Sequence, residues 1–369
     1  MAIDNKDKKV LNVPHLRFPE FSGEWENTEL QYIAPNICSG KDKPTSNGTV
    51  ALYGSTGIIG MTRLASYNEE IVLVARVGAN AGQLQITTIP CGVTDNTLII
   101  NAKEWNRYIY YYLQHYNLNR LVFGSGQPLI TGSMLKKLKI IYGEESERNK
   151  IVNLLCLLDE RIATQNKIIE DLKKLKCAII EKLYTEIQGE EYSYGQLLEI
   201  VNERNKQMGY SNILSASQEK GMVNREDLNL DIQFEHNNIS TYKIVREGDY
   251  VIHLRSFQGG FAFSDKLGVC SPAYTILRPN RLLEFGYLSY YFMSQRFIKS
   301  LIIVTYGIRD GRSINVEEWL NMKTVIPSKE HQLHILKVLR SIEGKIKNEE
   351  TYATCLSNQK QYLLQQMFI

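Results

Sequence analysis

IVNLLCLLDERIATQNKIIEDLKKLKCAIIEKL occupies residues 151–183 and decides how the rest of this 369-residue chain is organised. Its seam positions follow alternating steps of four and three residues, and most of them are apolar. They are 151, 155, 158, 162, 165, 169, 172, 176, 179 and 183. That spacing is typical of a coiled-coil seam, and a strand does not produce it. The stretch therefore predicts one long amphipathic helix.

The same seam returns 184 residues later, in ILKVLRSIEGKIKNEETYATCLSNQKQYLLQQM at 335–367. Even its polar interruptions correspond, because Gln165 matches Glu349 and Lys176 matches Lys360. An offset of about half the chain indicates two tandem halves, each ending in a helix. Each apolar seam needs a partner, so we expect the two helices to pair with each other.

Composition is that of a globular protein with a weakly basic balance. Hydrophobic residues make up 43% and charged residues 22%, and 369 residues accommodate two or three domains. The net charge of +3 permits a nucleic-acid partner without requiring one. The six cysteines show no C-x-x-C spacing, which favours reduced thiols in a cytoplasmic protein. No apolar run has the length of a membrane span, so we expect no membrane partner and, at MAIDNKDKKV, no signal peptide.

Outside the two helices the pattern changes to short β-like runs separated by Gly, Asn and Pro. TVALYG, EEIVLVARVG, QLQITTIP and NTLIIN indicate strands, and a tyrosine-rich helix is predicted at about 104–117. The second half repeats this order: IVLVARVGANAG (71–82) corresponds to DYVIHLRSFQGG (249–260), which matches Arg76 with Arg255. FGSGQPLITGSMLKKLKII (123–141) corresponds to GIRDGRSINVEEWLNMKTV (307–325).

We therefore predict an α+β protein in which two repeated mixed α/β domains are joined by two long helices that form an antiparallel coiled coil. The predicted parts are an N-terminal tail and strap at 1–28, a first domain at 29–143, a first helix at 144–188, a second domain at 189–328 and a second helix at 329–369. The stretches 40–68 and 202–240 do not align with each other. Divergent loops on a duplicated scaffold indicate that the two domains recognise related but different ligands. The alternative is sequence drift after duplication, with no division of function between the domains.

No catalytic or metal site is predicted, and no cofactor is expected on this chain. FGSGQ (123–127) lacks the strand-to-helix context of a cofactor loop. Glu343 and Lys345 have the E-x-K form of a nuclease site, but a solvated helix flank is the favoured interpretation. His331 and His334 are three residues apart without a third ligand beside them, so an exposed helical turn is favoured over a metal site.

Binding residues are predicted on glycine-hinged polar loops, where Lys and Arg neutralise phosphates and Asn, Gln, Ser and Arg reach base edges. The predicted DNA-binding set is Lys41, Lys43, Thr45, Ser46, Asn47, Ser55, Thr56, Arg76, Ser125, Gln127, Arg204, Asn205, Lys206, Arg255, Gln258, Arg309 and Arg312. For Arg76 and Arg255, a structural salt bridge is the alternative to a phosphate contact. The tyrosine clusters are interpreted as core residues rather than base-stacking platforms.

Several segments of the chain resemble one known family, the specificity (S) subunits of type I restriction–modification enzymes. VPHLRFPEFSGEW (13–25) is similar to the family's opening, V-P-x-L-R-F-P-E-F-x-x-x-W. GSGQPLITGSMLKKLKI (124–140) resembles the end of a target recognition domain. LKKLKCAIIEKLY (172–184) and QKQYLLQQMF (359–368) resemble the family's two conserved spacer helices. The second half departs from the pattern, because it has GIRDGRS where the first has GSGQP.

The resemblance implies a non-catalytic subunit whose two target recognition domains each read one half of a bipartite site in double-stranded DNA. It implies that the helices set the spacer between the half-sites and dock two methyltransferase subunits, which restriction (helicase-nuclease) subunits then join. S-adenosylmethionine, ATP and Mg are expected on those partner subunits, with adenine methylation and ATP-dependent cleavage only in the assembled complex. An enzyme acting alone and a protein-interaction scaffold that binds no DNA are the rival hypotheses.

Overall fold

A computed structural model describes residues 12–87, 90–122, 128–217, 220–228, 236–253, 260–306 and 313–369. The chain divides into two compact units. The first unit is Met1–Asn166 together with Thr351–Ile369, and the second unit is Lys167–Glu350. The first unit is therefore discontinuous in sequence, whereas the second is one uninterrupted stretch.

The first unit contains a short-stranded domain followed by the start of a long helix. Its elements are β1 (Glu26–Glu29), α1 (Leu30–Ile33), β2 (Cys38–Ser39), β3 (Val50–Gly54), β4 (Gly57–Thr62), β5 (Val72–Ala75), β6 (Leu84–Ile86), β7 (Cys91–Val93), β8 (Thr97–Ile100), α2 (Asn106–Tyr116), α3 (Gly132–Lys136) and β9 (Lys139–Tyr142), and they lead into α4 (Glu145–Thr185). Short 3-10 turns lie at Gly78–Asn80, Lys103–Trp105 and Leu118–Leu121.

Three small sheets form the first domain. One has the order β2-β8-β5-β6, all antiparallel, and a second has the order β4-β3-β7, in which β3 and β7 are parallel. β1 pairs antiparallel with β9, so the strand that opens the domain is bonded to the strand that closes it. β5 is buried throughout because Val72–Ala75 is a continuous apolar run between two partner strands.

The second unit repeats these parts. Its elements are β10 (Glu190–Ser193), α5 (Tyr194–Leu197), β11 (Leu198–Val201), β12 (Leu214–Ser217), β13 (Gly221–Asn224), β14 (Lys243–Val245), β15 (Tyr250–Ile252), β16 (Phe261–Phe263), β17 (Gly268–Cys270), β18 (Thr275–Pro279), α6 (Tyr287–Tyr291), α7 (Gln295–Ser300), β19 (Thr305–Tyr306), β20 (Ser313–Ile314), α8 (Val316–Asn321), β21 (Lys323–Ile326) and α9 (Lys329–Gln366). Further 3-10 turns lie at Arg225–Leu228, His236–Thr241 and Leu301–Val304.

The two domains share a strand order, as the internal repeat predicted. The second domain has a four-stranded sheet of order β11-β18-β15-β16, and β10 pairs antiparallel with β21 as β1 does with β9. Around the variable loops the same two pairings recur with different extents. β7 pairs in parallel with β3 and has a single antiparallel bridge to Tyr67, whereas β17 pairs antiparallel with β14 and has a single parallel bridge to Ile213. The shared sheets and the different loop region fit a duplicated scaffold with diverged loops.

The two long helices confirm the predicted α+β architecture. α4 has 41 residues and α9 has 38, and each has its seam toward the other helix. In the first unit, Ile151 and Leu155 are buried in one core with Leu356 and Leu364. In the second, Ile180 is buried with Ile335, Leu336 and Leu339. Later residues of α4 face earlier residues of α9 within each unit, so the pairing is antiparallel.

The opening segment at 12–25 has no helix or strand and lies against the start of α4. Glu147 is buried and accepts hydrogen bonds from Arg17 Nε at 2.7 Å and from Trp25 Nε1 at 3.0 Å. The Leu16 amide donates to the Gln366 carbonyl at 2.8 Å, which joins this segment to the end of α9. The arginine and the tryptophan of the VPHLRFPEFSGEW motif thus bind one carboxylate.

The tyrosine clusters are core, as predicted. Tyr108, Tyr111 and Tyr112 of α2 are almost fully buried, and Tyr287 and Tyr290 of α6 are equally so. Phe368 packs against Tyr108 and Tyr112, with ring centroids 5.5 and 6.0 Å apart. Buried aromatic rings supply large apolar area to small cores, which these short-stranded domains require.

Candidate nucleic-acid interface

The polar residues of the first domain converge on the turn 93–97, between β7 and β8. Its backbone carbonyls accept hydrogen bonds from other segments at distances of 2.9 to 3.2 Å, and the donors are the amides of Gly40, Asp42 and Arg76 and the hydroxyl of Ser55. The Thr94 amide donates in turn to the Tyr53 carbonyl at 3.0 Å. Three stretches predicted to bind DNA are therefore fixed to one short turn.

A cationic loop is held in place by Asp42. One carboxylate oxygen of Asp42 accepts from the Val93 amide at 2.8 Å and the other from the Ser66 hydroxyl at 2.7 Å. Lys41 and Lys43 flank this anchor and are exposed, and neither has an acidic partner in the part of the chain that the structure describes. Two unpaired ammonium groups on a fixed backbone suit phosphate groups, because each neutralises charge without first breaking an ion pair.

Gly40 is required where this loop approaches the turn. A Cβ atom built on Gly40 would lie 2.1 Å from the carbonyl oxygen of Val93, closer than any real contact. Only glycine permits the backbone to come this near. The loop and the turn therefore form one rigid unit rather than a loose flap.

The hairpin β3–β4 carries Ser55 and Thr56 at its tip. Gln85 Nε2 donates to the carbonyls of Gly54 and Ser55, both at 3.0 Å, and so fixes the tip. Thr45, Ser46 and Asn47 lie near the other end of the hairpin, where the Thr45 amide bonds to Met61. The structure thus brings Ser55 and Thr56 to the turn 93–97 but does not bring the Thr45–Asn47 stretch there.

Arg76 follows β5 directly and is partly buried. Its Nη1 donates to the Ser39 hydroxyl at 3.3 Å, and its buried Nε has no hydrogen-bond partner within the described ranges. No carboxylate pairs with Arg76 in those ranges, so the alternative of a structural salt bridge finds no partner there. Burying an arginine N–H group without a hydrogen-bond acceptor is uncommon and lowers stability. An oxygen atom of a bound ligand could accept from this N–H and remove that penalty.

In the second domain, Arg204 and Lys206 are exposed, but the prediction for Asn205 needs correction. Asn205 is 2% exposed, donates to the Tyr210 carbonyl at 2.7 Å and accepts from the Tyr210 amide at 3.2 Å. The side chain closes its own loop, as asparagine commonly does. We assign Asn205 to loop structure rather than to DNA.

Six predicted residues lie outside the described residues: Ser125, Gln127, Arg255, Gln258, Arg309 and Arg312. The match of Arg76 with Arg255 is therefore untested by the structure. Counted along the two aligned stretches, which begin at 71 and 249, position 76 falls on 254, one residue before Arg255.

Sequence reasoning missed an exposed apolar strand beside the cationic loop. Ile58 and Ile59 on β4 are each 54% exposed, and Leu64 is 77% exposed just after it. Successive strand residues point to opposite faces of a sheet, so Ile58 and Ile59 expose apolar side chains on both faces of β4. The signal was available in GIIGMTRL, where apolar residues do not alternate with polar ones.

The interpretation of Glu343 as a solvated helix flank is also corrected. Glu343 accepts from Lys176 Nζ at 2.6 Å and from the Tyr290 hydroxyl at 2.5 Å, so it belongs to a contact between helices.

Within the described residues no three His, Cys, Asp or Glu side chains come together as a metal site. None of the helices described there is both long and apolar enough to cross a membrane.

Comparison with known proteins shows which family this chain is similar to. Residues 10–174 match the family model described as the type I restriction modification DNA specificity domain. The type I restriction enzyme MjaVIII specificity subunit of Methanocaldococcus jannaschii is 25% identical, over 76% of this chain and 73% of that protein. The predicted resemblance to a type I specificity subunit is confirmed.

Solved structures show that the fold is also that of type I specificity subunits. The type I restriction-modification S subunit from M. genitalium has a TM-score of 0.59 at 15% identity, covering 97% of this chain and 99% of that one. A structure concerned with complex assembly and conformational transition of the type I R-M system has a TM-score of 0.57 at 14% identity, covering 94% and 97% of the two chains. Both likenesses extend over nearly the whole of this chain.

Proposed function

We propose that this chain is the DNA-recognition subunit of a type I restriction–modification complex, with one recognition domain for each half of a bipartite target. The observation that carries the proposal is the duplicated sheet order combined with loop stretches, 40–68 and 202–240, that do not align with each other. A common scaffold with two different loop sets suits two different half-sites on one duplex. The boundaries proposed for the recognition domains are 29–143 and 189–328.

The cationic loop and the turn 93–97 supply the phosphate-binding part of the first recognition domain. Lys41 and Lys43 would contact the backbone of the duplex, and Ser55, Thr56 and Arg76 would lie nearer the bases. In the second recognition domain, Arg204 and Lys206 would take the corresponding backbone role. Phosphate contacts position a protein on DNA, whereas contacts to base edges select the sequence.

The partner subunits would supply the chemistry. This chain would bind no S-adenosylmethionine, ATP or Mg itself, and would contribute recognition and a docking scaffold for two methyltransferase subunits and the restriction subunits. The paired α4 and α9 would set the spacer between the half-sites. Purified alone, the chain should not methylate or cleave DNA; methyl transfer by the chain alone would contradict the proposal.

A domain exchange tests the division of labour. Residues 29–143 are replaced by the corresponding domain of another specificity subunit, the complex is assembled with its methyltransferase, and the methylated motif is read by sequencing. One half of the motif should change while the other half and the spacer persist. A change in both halves, or in neither, would show that the domains do not read separate half-sites.

A protein-interaction scaffold is the second candidate, and the exposed apolar strand β4 is the observation that favours it. Ile58 and Ile59 would then bind a protein rather than DNA. Sequence-dependent affinity of the assembled complex for duplex DNA separates the two functions. Under the scaffold hypothesis, all duplexes of equal length should bind equally.

A further inference from the structure

The same three-residue cluster occurs once in each unit, where a domain helix meets α4 and α9. In the first unit, Asp159 of α4 accepts from Lys360 Nζ of α9 at 2.6 Å and from the Tyr111 hydroxyl of α2 at 2.8 Å. The Lys360 ammonium also lies 5.3 Å from the centroid of the Tyr111 ring. One carboxylate therefore joins three helices.

The second unit has this arrangement with the roles of the long helices exchanged. Glu343 of α9 accepts from Lys176 Nζ of α4 at 2.6 Å and from the Tyr290 hydroxyl of α6 at 2.5 Å. The Lys176 ammonium lies 5.5 Å from the centroid of the Tyr290 ring. The lysine side chains are similarly enclosed, at 14% exposed for Lys360 and 15% for Lys176.

Both lysines occupy seam positions, where an apolar residue would pack better. A lysine or asparagine at such a position lowers stability but fixes the register and orientation of a coiled coil. Burial raises the pKa of the Tyr111 and Tyr290 hydroxyls, so both remain protonated and available as donors. Each cluster is thus fully paired in the observed register.

Other pairings of the two helices leave charges unmatched. A shift of one heptad in one direction places Lys360 opposite Val152 and Lys176 opposite Leu336. A shift of one heptad in the opposite direction places Lys360 opposite Asn166 and Lys176 opposite Glu350, so only Lys176 still faces a carboxylate. A parallel pairing that aligned the two repeats would place Lys176 against Lys360 and Asp159 against Glu343. The apolar seam tolerates shifts of seven residues, so the clusters are needed to select among them.

We propose that these two lysine–carboxylate–tyrosine clusters select the antiparallel register of α4 and α9 and fix each recognition domain to that register. Lys176, Lys360, Asp159 and Glu343 are then positioning residues for the distance between half-sites. This last consequence rests on the proposed function, whereas the selection of register does not.

A distance measurement on the full chain, without DNA, tests the register. Spin labels are placed on Cys355, which is exposed on α9, and on a cysteine introduced by Asn153→Cys on α4. Cys38, Cys156 and Cys177 are replaced by serine, and the buried Cys91 and Cys270 remain. A slip of one heptad moves one label past the other by about 10 Å along the helix axis.

The decisive variant is K176L/K360L, which makes both seams more apolar and should not lower the melting temperature. The unaltered chain should give one label distance, and the variant should add a second population displaced by roughly 10 Å. Lys173→Leu, which removes an exposed lysine paired with Glu350 outside the seam, is the matched control and should keep one distance. A single unchanged distance in K176L/K360L would overturn the proposal.

Charge exchange gives a second, independent readout. Lys360→Glu should disturb the label distance, because the introduced carboxylate would face that of Asp159, and adding Asp159→Lys should restore it. If register shifts are seen but the methylated motif of the assembled complex keeps its spacer, the clusters select register without setting the spacer. If no duplex is bound sequence-specifically at all, the proposed function fails while the register result stands.

Discussion

Glu147 is a buried carboxylate whose partners come from the opening motif of the chain. Arg17 donates to it through Nε and Nη2, and this hydrogen bonding raises the pKa of the guanidinium. Because Glu147 lies in the first turn of α4, it also satisfies the positive end of the helix dipole. A single side chain thus connects the N-terminal segment, the helix start and the domain core.

Removing that carboxylate should be costly. Glu147→Ala leaves the mostly buried Arg17 and the Trp25 N–H without an acceptor, and we expect the free energy of unfolding to fall by about 3–5 kcal/mol. Glu145→Ala, at an exposed position in the same helical turn, should cost no more than about 1 kcal/mol. Chemical denaturation followed by circular dichroism measures both. Equal costs for the two variants would show that the Arg17–Glu147 pair does not anchor the segment.

Lys41 and Lys43 are two further single residues whose role can be tested, because the proposed function places them on the DNA backbone. The K41A/K43A variant should weaken binding to all duplexes alike and reduce the slope of log affinity against log salt by up to about 2. Lys103→Ala removes an exposed charge beyond the other end of β8 and should leave the slope unchanged. A loss confined to one base position would instead identify the lysines as readers of sequence.

At the scale of elements, the end of α9 completes the core of the first domain. His115 of α2 stacks on Phe368 with centroids 5.8 Å apart, and burial lowers the pKa of its imidazole. The backbone at Leu364 and Ile369 partly opposes that lowering of the pKa, while the buried Nδ1 atom has no hydrogen-bond partner among the described residues. The imidazole is therefore held neutral where α2 meets the last turn of α9.

This contact makes the stability of the first unit dependent on pH. A histidine whose pKa is lowered on folding takes up its proton more readily in the unfolded chain, so stability is retained above about pH 6.5 and falls as the pH drops below it. Between pH 7.5 and 5.5, His115→Gln should lose less unfolding free energy than the unaltered chain. His331→Gln, which removes an exposed histidine of α9, should behave as the unaltered chain does.

Helices and strands whose apolar residues recur at a regular spacing were predictable from the sequence, whereas the conformations of the loops were not. The seam of α4, the tyrosine-rich α2 and the repeated sheet all follow from local spacing that burial imposes on both halves. Asn205 could not be assigned, because whether an amide bonds to its own loop or to a ligand depends on the fold of that loop. Glu343 was misjudged because its partners, Lys176 and Tyr290, are far away in sequence.

At the scale of the whole molecule, helix length becomes the testable quantity. Deleting 162–168 from α4 and 346–352 from α9 removes one heptad from each, keeps both clusters in register and shortens the pair by about 10 Å. Since B-DNA rises about 34 Å per turn of roughly 10 base pairs, the unspecified spacer should shorten by at most about 3 base pairs. Sequencing the methylated motif gives the result.

Deleting four residues from each helix is the control, because it breaks the heptad phase and should lower the melting temperature before it alters any spacing. If the heptad-deleted protein is stable and keeps the original spacer, helix length does not determine the distance between half-sites.

The discontinuity of the first unit also bears on synthesis at the ribosome. Leu356, Leu364, Met367 and Phe368 belong to the core that the N-terminal residues begin, so that core stays open until residues 356–368 have been translated. The second unit, being one stretch, therefore has all its residues before the first unit does, and the N-terminal part of the first unit must wait, with apolar surface uncovered, for residues 351–369.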